Sequence, residues 1–192
     1  MPLIVAINGS PSASSRTTKL TTSVGAALAA DGFDVRAIHV RDIPAEDLLH
    51  ARADAPAVRA ALALVERASG VIISTPIYKA AYTGILKAFL DLLPQFGLAG
   101  KVVLPLCTGG TTAHVLAIDY ALRPVLMSLG APQVVEGLFV LDKTIEIDAA
   151  GTPHLPPELR ARLDGVVGQL ALGVHNLGAR RPSGINAAAS AA

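Results

Sequence analysis

Three observations predict a doubly wound α/β domain built on a parallel sheet. Leu3–Ile7, Val71–Ser74 and Val102–Cys107 are short, continuous apolar runs rich in β-branched residues, as expected of strands covered on both faces. Helical periodicity fills the stretches between them. The composition is that of a folded chain: 52% of the 192 residues are hydrophobic and 16% are charged, enough apolar surface for one substantial core.

Taken in order, the first strand is followed by a helix over Thr17–Ala30, with Leu20, Val24 and Leu28 on one side. A second strand is expected over Phe33–Val40 and a helix over Ala55–Ala68. After the third strand, a helix over Gly84–Leu93 stops before Pro94, because proline disfavours helical backbone in the residue preceding it. The fourth strand leads to a helix over Ala113–Leu129, and a fifth strand over Gln133–Val140 leads to a helix over Pro157–Asn176. This is β-α repeated five times, with ligands expected beyond the carboxyl ends of the strands. The domain is expected to span residues 1–178. Residues 179–192, with Arg180-Arg181-Pro182 and an alanine-rich end, carry no buried periodicity and read as a flexible tail.

Charge and cysteine usage exclude several function classes. Sixteen basic and fifteen acidic residues leave a formal net charge of +1, so no broad field draws the chain to nucleic acid or an anionic membrane. Any anionic ligand must be held locally. The single cysteine, Cys107, rules out an intramolecular disulfide and a multi-cysteine metal site, and it suits a reducing compartment. No apolar run approaches membrane-spanning length and no signal-peptide pattern opens the chain, so a soluble, cytoplasmic protein is expected.

Three loops that follow strands carry the chemistry. The first, from Asn8 to Thr18, holds six hydroxyl side chains and runs straight into a helix. Unsatisfied N–H groups at the helix start, the hydroxyls of the segment and the charge of Arg16 suit a terminal phosphate. A plain helix cap needs only one of those hydroxyls. Neither the dinucleotide Gly-x-Gly-x-x-Gly pattern nor the phosphate loop of nucleoside triphosphatases occurs here. The second loop, around Pro76-Ile77-Tyr78 and Tyr82, reads as a rigid, proline-initiated turn offering a flat, partly apolar wall to a planar ring. The third, Thr108-Gly109-Gly110-Thr111, pairs glycines that admit a close ligand with two hydroxyls. His114 reads as a capping or surface residue, Lys79 as solvated and Cys107 as an inert core thiol. No metal site and no acid–base or nucleophilic side chain is predicted.

Gly9-Ser10-Pro11, Thr75-Pro76-Ile77-Tyr78 with Gly84-Ile85-Leu86-Lys87, and Thr108-Gly109-Gly110 together resemble the NADPH-dependent FMN reductases over nearly the whole folded chain. Asp47-Leu48-Leu49, Tyr78-Lys79-Ala80-Ala81-Tyr82, Leu92-Leu93-Pro94, Lys101–Leu106 and Asp119-Tyr120-Ala121-Leu122 are most similar to the branch that serves two-component alkanesulfonate monooxygenases. The resemblance implies a flavodoxin-like, five-stranded parallel sheet in the order 2-1-3-4-5 with helices on both faces. It also implies hydride transfer from NADPH, or NADH, to FMN and supply of reduced FMN to a flavin-dependent monooxygenase for sulfur assimilation, by a homodimer or homotetramer. Ser10, Ser15, Arg16, Thr17 and Thr18 would hold the phosphate. Pro76, Ile77, Tyr78, Thr108, Gly109, Gly110 and Thr111 would line the ring. Many relatives carry a basic residue where this chain has Ser12, which leaves Arg16 as the one charge in the cup.

Pro124 lies four residues after Tyr120 and has no N–H to give the Tyr120 carbonyl, so the fourth helix must break locally. A π-bulge is one relief. In the resembled branch a tyrosine matching Tyr120 sits in a π-helix at a subunit interface near the flavin, tied to assembly and flavin exchange. Rival readings are a quinone or azo-dye reductase on the same fold, a flavodoxin-type one-electron carrier, and a non-enzymatic flavin-binding regulator. Carriers of that type are usually strongly acidic, unlike this chain.

Overall fold

The structure, a computed structural model, describes residues 1–180. Its elements run β1 (Leu3–Asn8), α1 (Arg16–Ala30), β2 (Asp34–His39), α2 (Ala45–Leu49), α3 (Pro56–Arg67), β3 (Gly70–Tyr78), β4 (Ala81–Tyr82), α4 (Gly84–Leu90), β5 (Val102–Gly109), α5 (Arg123–Ser128), β6 (Gln133–Val134), β7 (Leu138–Leu141), β8 (Glu146–Ile147), β9 (Pro153–His154) and α6 (Pro157–Arg180). The main sheet runs β2-β1-β3-β5 and then β6, with β7 also pairing β5. With β6 and β7 taken as one interrupted strand, this is the 2-1-3-4-5 order of a flavodoxin-like domain; these strands are parallel, and the short β4 adds to β3 antiparallel.

Alternation along the strands feeds two cores. Val5, Ile7, Val71, Ile73 and Val103 face Val58 and Val65 of α3, Leu86 and Phe89 of α4, and Leu126 of α5. Ile4, Ala6, Ile72, Leu104 and Leu106 face Leu20, Val24 and Leu28 of α1 and Leu163, Leu170 and Val174 of α6. Both faces are therefore covered, as the continuous apolar strand runs require.

Several boundaries differ from expectation. The third strand does not end at Ser74: it continues through Pro76 to Tyr78, with Pro76 paired in register with Thr108. The turn therefore lies at Lys79-Ala80, where a two-residue hairpin joins β3 to β4. Both residues take positive φ, 51° and 66°, the backbone of the tight hairpin turn that glycine or asparagine normally supplies. The fifth strand is interrupted at Val135–Gly137, where a Cβ on Gly137 would stand 2.8 Å from Ile118 Cγ2. The fourth helix is broken as well, into a 3₁₀ turn (Thr112–His114), a π-helix (Ile118–Leu122) and α5. Helix α4 ends at Leu90, ahead of the expected Leu93, and α6 runs on to Arg180 rather than Asn176. Residues 181–192 of the expected tail lie outside the described residues. The short helix α2 and the β8–β9 hairpin carried too few periodic residues to be read in advance. Among the described residues, no helix is long and apolar enough to cross a membrane.

Phe89 is fully buried on α4, so Phe89→Ala is expected to lower the unfolding free energy by about 3–5 kcal/mol, measurable by urea denaturation. Burial pushes the Cys107 thiol from its ordinary value of 9.0 up to about 12. In the unfolded chain it ionises first, so its contribution to stability falls as pH rises from about 9 towards 12. Below that range the native thiol should resist iodoacetamide and react only on unfolding; rapid alkylation of the native chain at pH 8 would contradict its burial.

Candidate functional site

The strand register brings the three loops together. Asn8 pairs with Ser74, and Pro76 with Thr108, so β1, β3 and β5 release their loops at the same edge of the sheet. Of the residues expected in the site, Pro76, Ile77, Thr108 and Gly109 are buried at the strand ends, while Arg16, Tyr78, Gly110 and Thr111 are exposed.

In the first loop, the Ser15 hydroxyl caps α1 by accepting from the Thr18 N–H at 3.0 Å and lies 2.9 Å from the Thr18 hydroxyl. Ser15 thus satisfies one of the N–H groups that a helix start leaves without a partner. Ser10 is buried, its N–H bonded to Asn8 Oδ1 at 2.8 Å. Its hydroxyl lies 3.3 Å from the Ser12 carbonyl. Arg16 is exposed and donates through Nε to the Ile145 carbonyl at 3.1 Å, which steadies the side chain at the start of α1. Thr17 and Thr108, expected at the phosphate and at the ring, are both buried, with their hydroxyls 2.7 Å apart. The pair ties the first loop to the third, each hydroxyl turned to the other.

In the second loop, Pro76 and Ile77 are buried while Tyr78 is exposed at the end of β3. An apolar cavity of about 390 Å³ lies beside them, lined by Pro11, Leu48, Leu49, Tyr78, Thr83 and Ile85 among others. Burial pushes the Tyr82 phenol up, so it stays neutral. The Asp91 carboxylate, 2.6 Å from Lys87 Nζ, holds that ammonium charged and occupied away from the loops. In the third loop, Gly109 lies against Phe139, with 2.8 Å between its would-be Cβ and the Phe139 Cζ, so no larger residue fits without displacing the ring. Gly110 has open space at the same position and is exposed, as is Thr111. A larger cavity of about 760 Å³ lies near Phe96 and Lys101 at the amino end of β5, away from all three loops.

Tyr120 sits in the π-helix, where the Arg123 N–H reaches back five residues to the Ile118 carbonyl, the wide turn that Pro124 demands. The Tyr120 hydroxyl donates to the Ala80 carbonyl at 2.7 Å, fastening the π-helix to the strained turn below Tyr78. Thr83 was not singled out as a site residue from sequence. It caps α4, accepting from the Leu86 N–H at 3.3 Å, and its hydroxyl donates to the Gly9 carbonyl at 2.6 Å. A threonine just before a helical Gly84-Ile85-Leu86 run is a capping signal, but its partner 74 residues away in the chain is invisible without the fold.

Hydroxyls, a helix start and the cation of Arg16 lie at one end of this edge and an apolar surface beside Tyr78 at the other, a set of groups chemically compatible with a phosphate and a planar ring. Among the described residues, no cluster of His, Cys, Asp and Glu has the makings of a metal site.

Known proteins agree with this reading. The sequence profile of the family described as NADPH-dependent FMN reductase matches residues 2–146. An FMN reductase (NADPH) of Pseudomonas putida KT2440 is 46% identical over 180 residues, covering 94% of this chain and 90% of its own length. The FMN reductase (NADPH) of Escherichia coli K12 is 45% identical over 163 residues, 84% of each chain. The apo crystal structure of an NADH:FMN oxidoreductase, EMOB, superposes with a TM-score of 0.82 at 42% identity, covering 90% of this chain and 89% of the other. The chain belongs to the NADPH-dependent FMN reductase family and is an oxidoreductase acting on FMN with a reduced nicotinamide nucleotide.

Proposed function

We propose that FMN lies across the three loops, its phosphate at Ser10, Ser15, Arg16 and Thr18 and its ring against Pro76, Ile77, Tyr78 and Thr108–Thr111. The observation that carries this reading is their convergence on one sheet edge, cross-tied by the Thr83–Gly9 and Thr17–Thr108 hydrogen bonds. When bound, FMN supplies the hydride-accepting centre, flavin N5, for the nicotinamide C4 hydride. The protein's part is positional. First-turn N–H groups and Arg16 fix the phosphate, the rigid end of β3 sets the plane of the ring, and Gly110 allows backbone to approach its polar edge. No side-chain acid or base is needed.

The reduced flavin is then released to a separate flavin-dependent monooxygenase, in sulfonate-sulfur assimilation. Two features support exchange over permanent retention: a single cation serves the phosphate, and the wall next to Tyr78 rests on a strained turn held by Tyr120. Exposed Val115 and Leu116 in the turn before the π-helix, Tyr120 within it and Met127 on α5 support a homo-oligomeric contact there, dimeric or tetrameric, with Tyr120 at its centre. A cytoplasmic setting suits the lone, reduced thiol. NADPH and NADH both stand as donors, since the relatives named above include enzymes of each kind.

Initial rates of NADPH and NADH oxidation by the purified apoprotein in air, with and without free FMN, test this directly. Rapid oxidation that saturates with FMN is expected; bound FMN without nucleotide oxidation would leave a carrier or a regulator. Arg16→Ala should raise the FMN KM by about tenfold or more and move kcat little, because it removes a charged phosphate contact and leaves the ring wall intact.

A further inference from the structure

Thr83 sits on the wall side of the site, yet its hydroxyl acts on the phosphate side. Its single O–H proton goes to the Gly9 carbonyl at 2.6 Å, and both groups are buried. Its N–H donates to Thr75 Oγ1 at 3.2 Å, which anchors it to β3, and its oxygen accepts from Leu86 N at 3.3 Å, which anchors it to α4. Gly9 is held from other directions too: its N–H donates to the Ser74 carbonyl at 2.8 Å, and the next N–H, of Ser10, goes to Asn8 Oδ1. There is no slack in this packing. A Cβ on Gly9 would stand 2.7 Å from Leu86 Cβ, so the loop lies directly on the first turn of α4.

We propose that Thr83 is a positioning residue that selects FMN over flavins lacking the phosphate. This rests on the flavin reading above. The mechanism is preorganisation: with Gly9 pinned, the Ser10–Thr18 cup is ordered before the phosphate arrives, and ordering it on arrival would otherwise subtract from affinity. The effect is confined to the phosphate end. The ring wall is formed by β3 itself, which the parallel ladder with β5 holds whether or not Thr83 has a hydroxyl.

The test is isothermal titration of FMN and of riboflavin into the purified full chain, its Thr83→Val variant and its Thr83→Ser variant, with far-UV circular dichroism of each. Valine keeps the shape and removes the hydroxyl, with its bonds to Gly9 and Leu86, so T83V must order the cup on binding and should hold FMN about tenfold more weakly, while riboflavin affinity changes by less than about twofold. T83S should restore FMN binding. A residue that merely stabilised the fold would weaken both flavins alike, and that result, or unchanged FMN affinity in folded T83V, would overturn the role of Thr83 and leave the flavin site standing. Wild-type protein that binds neither flavin would overturn the site itself and this role with it. The wild-type chain supplies a second arm that does not depend on a variant folding. Titrated with inorganic phosphate, it should show the Thr83 amide resonance shifting with those of Gly9 and Ser10 at one midpoint, whereas a phosphate response in Ser10 that leaves Thr83 still would contradict the proposal.

Discussion

The shared register of β1, β3 and β5 is the constraint on which the site depends. A parallel ladder has no freedom to slip by one residue without turning its apolar side chains from one core to the other. Here Ile4 and Ile72 must face α1 and α6 while Val5 and Val71 face α3 and α4. Once that is satisfied, Asn8, Ser74 and Leu106 lie side by side, and the chain beyond each must leave at the same edge. Core packing thus assembles the loops, and the buried hydroxyls then lock them. Thr83 reaches Gly9 across 74 residues of sequence and Thr17 reaches Thr108 across 91, joining loops that share no local structure.

The layout was legible where periodicity and chemistry act locally. Continuous runs such as Val102–Leu106 betray strands buried on both faces, and the crowding of hydroxyls before Thr17 betrays a capped helix start. The break at Tyr120–Pro124 was also legible, since a missing N–H has a definite consequence four residues back. What stayed hidden depends on contacts between distant segments. Pro76 reads as the start of a turn, yet the ladder with Thr108 carries it on as strand, and a tight turn of Lys79 and Ala80 contains neither glycine nor asparagine to announce it. Thr17 reads as a ligand hydroxyl because nothing in its neighbourhood reveals Thr108. Thr83 was passed over for the same reason.

Strain and its restraint are concentrated at one point. Lys79 and Ala80 hold positive φ at some cost for residues with a Cβ, and the Tyr120 hydroxyl secures the carbonyl of the second of them. The hydroxyl is delivered by a π-helix that exists because Pro124 follows. A wide turn, a strained hairpin and the exposed Tyr78 are therefore one mechanical unit at the end of β3. The interruption of the last strand belongs to the same arrangement, since Gly137 makes room for Ile118 at the start of the π-helix.

The central claim is that three preassembled loops form a single flavin mononucleotide site. A crystal structure of the chain soaked with FMN tests it most directly. The phosphate is predicted over the start of α1, among Ser10, Ser15, Arg16 and Thr18, with the ring lying between Pro76–Tyr78 and Gly109–Thr111 and the loop backbones unmoved. FMN density in the larger cavity beside Phe96 and Lys101, or a rebuilt first loop around the phosphate, would contradict it.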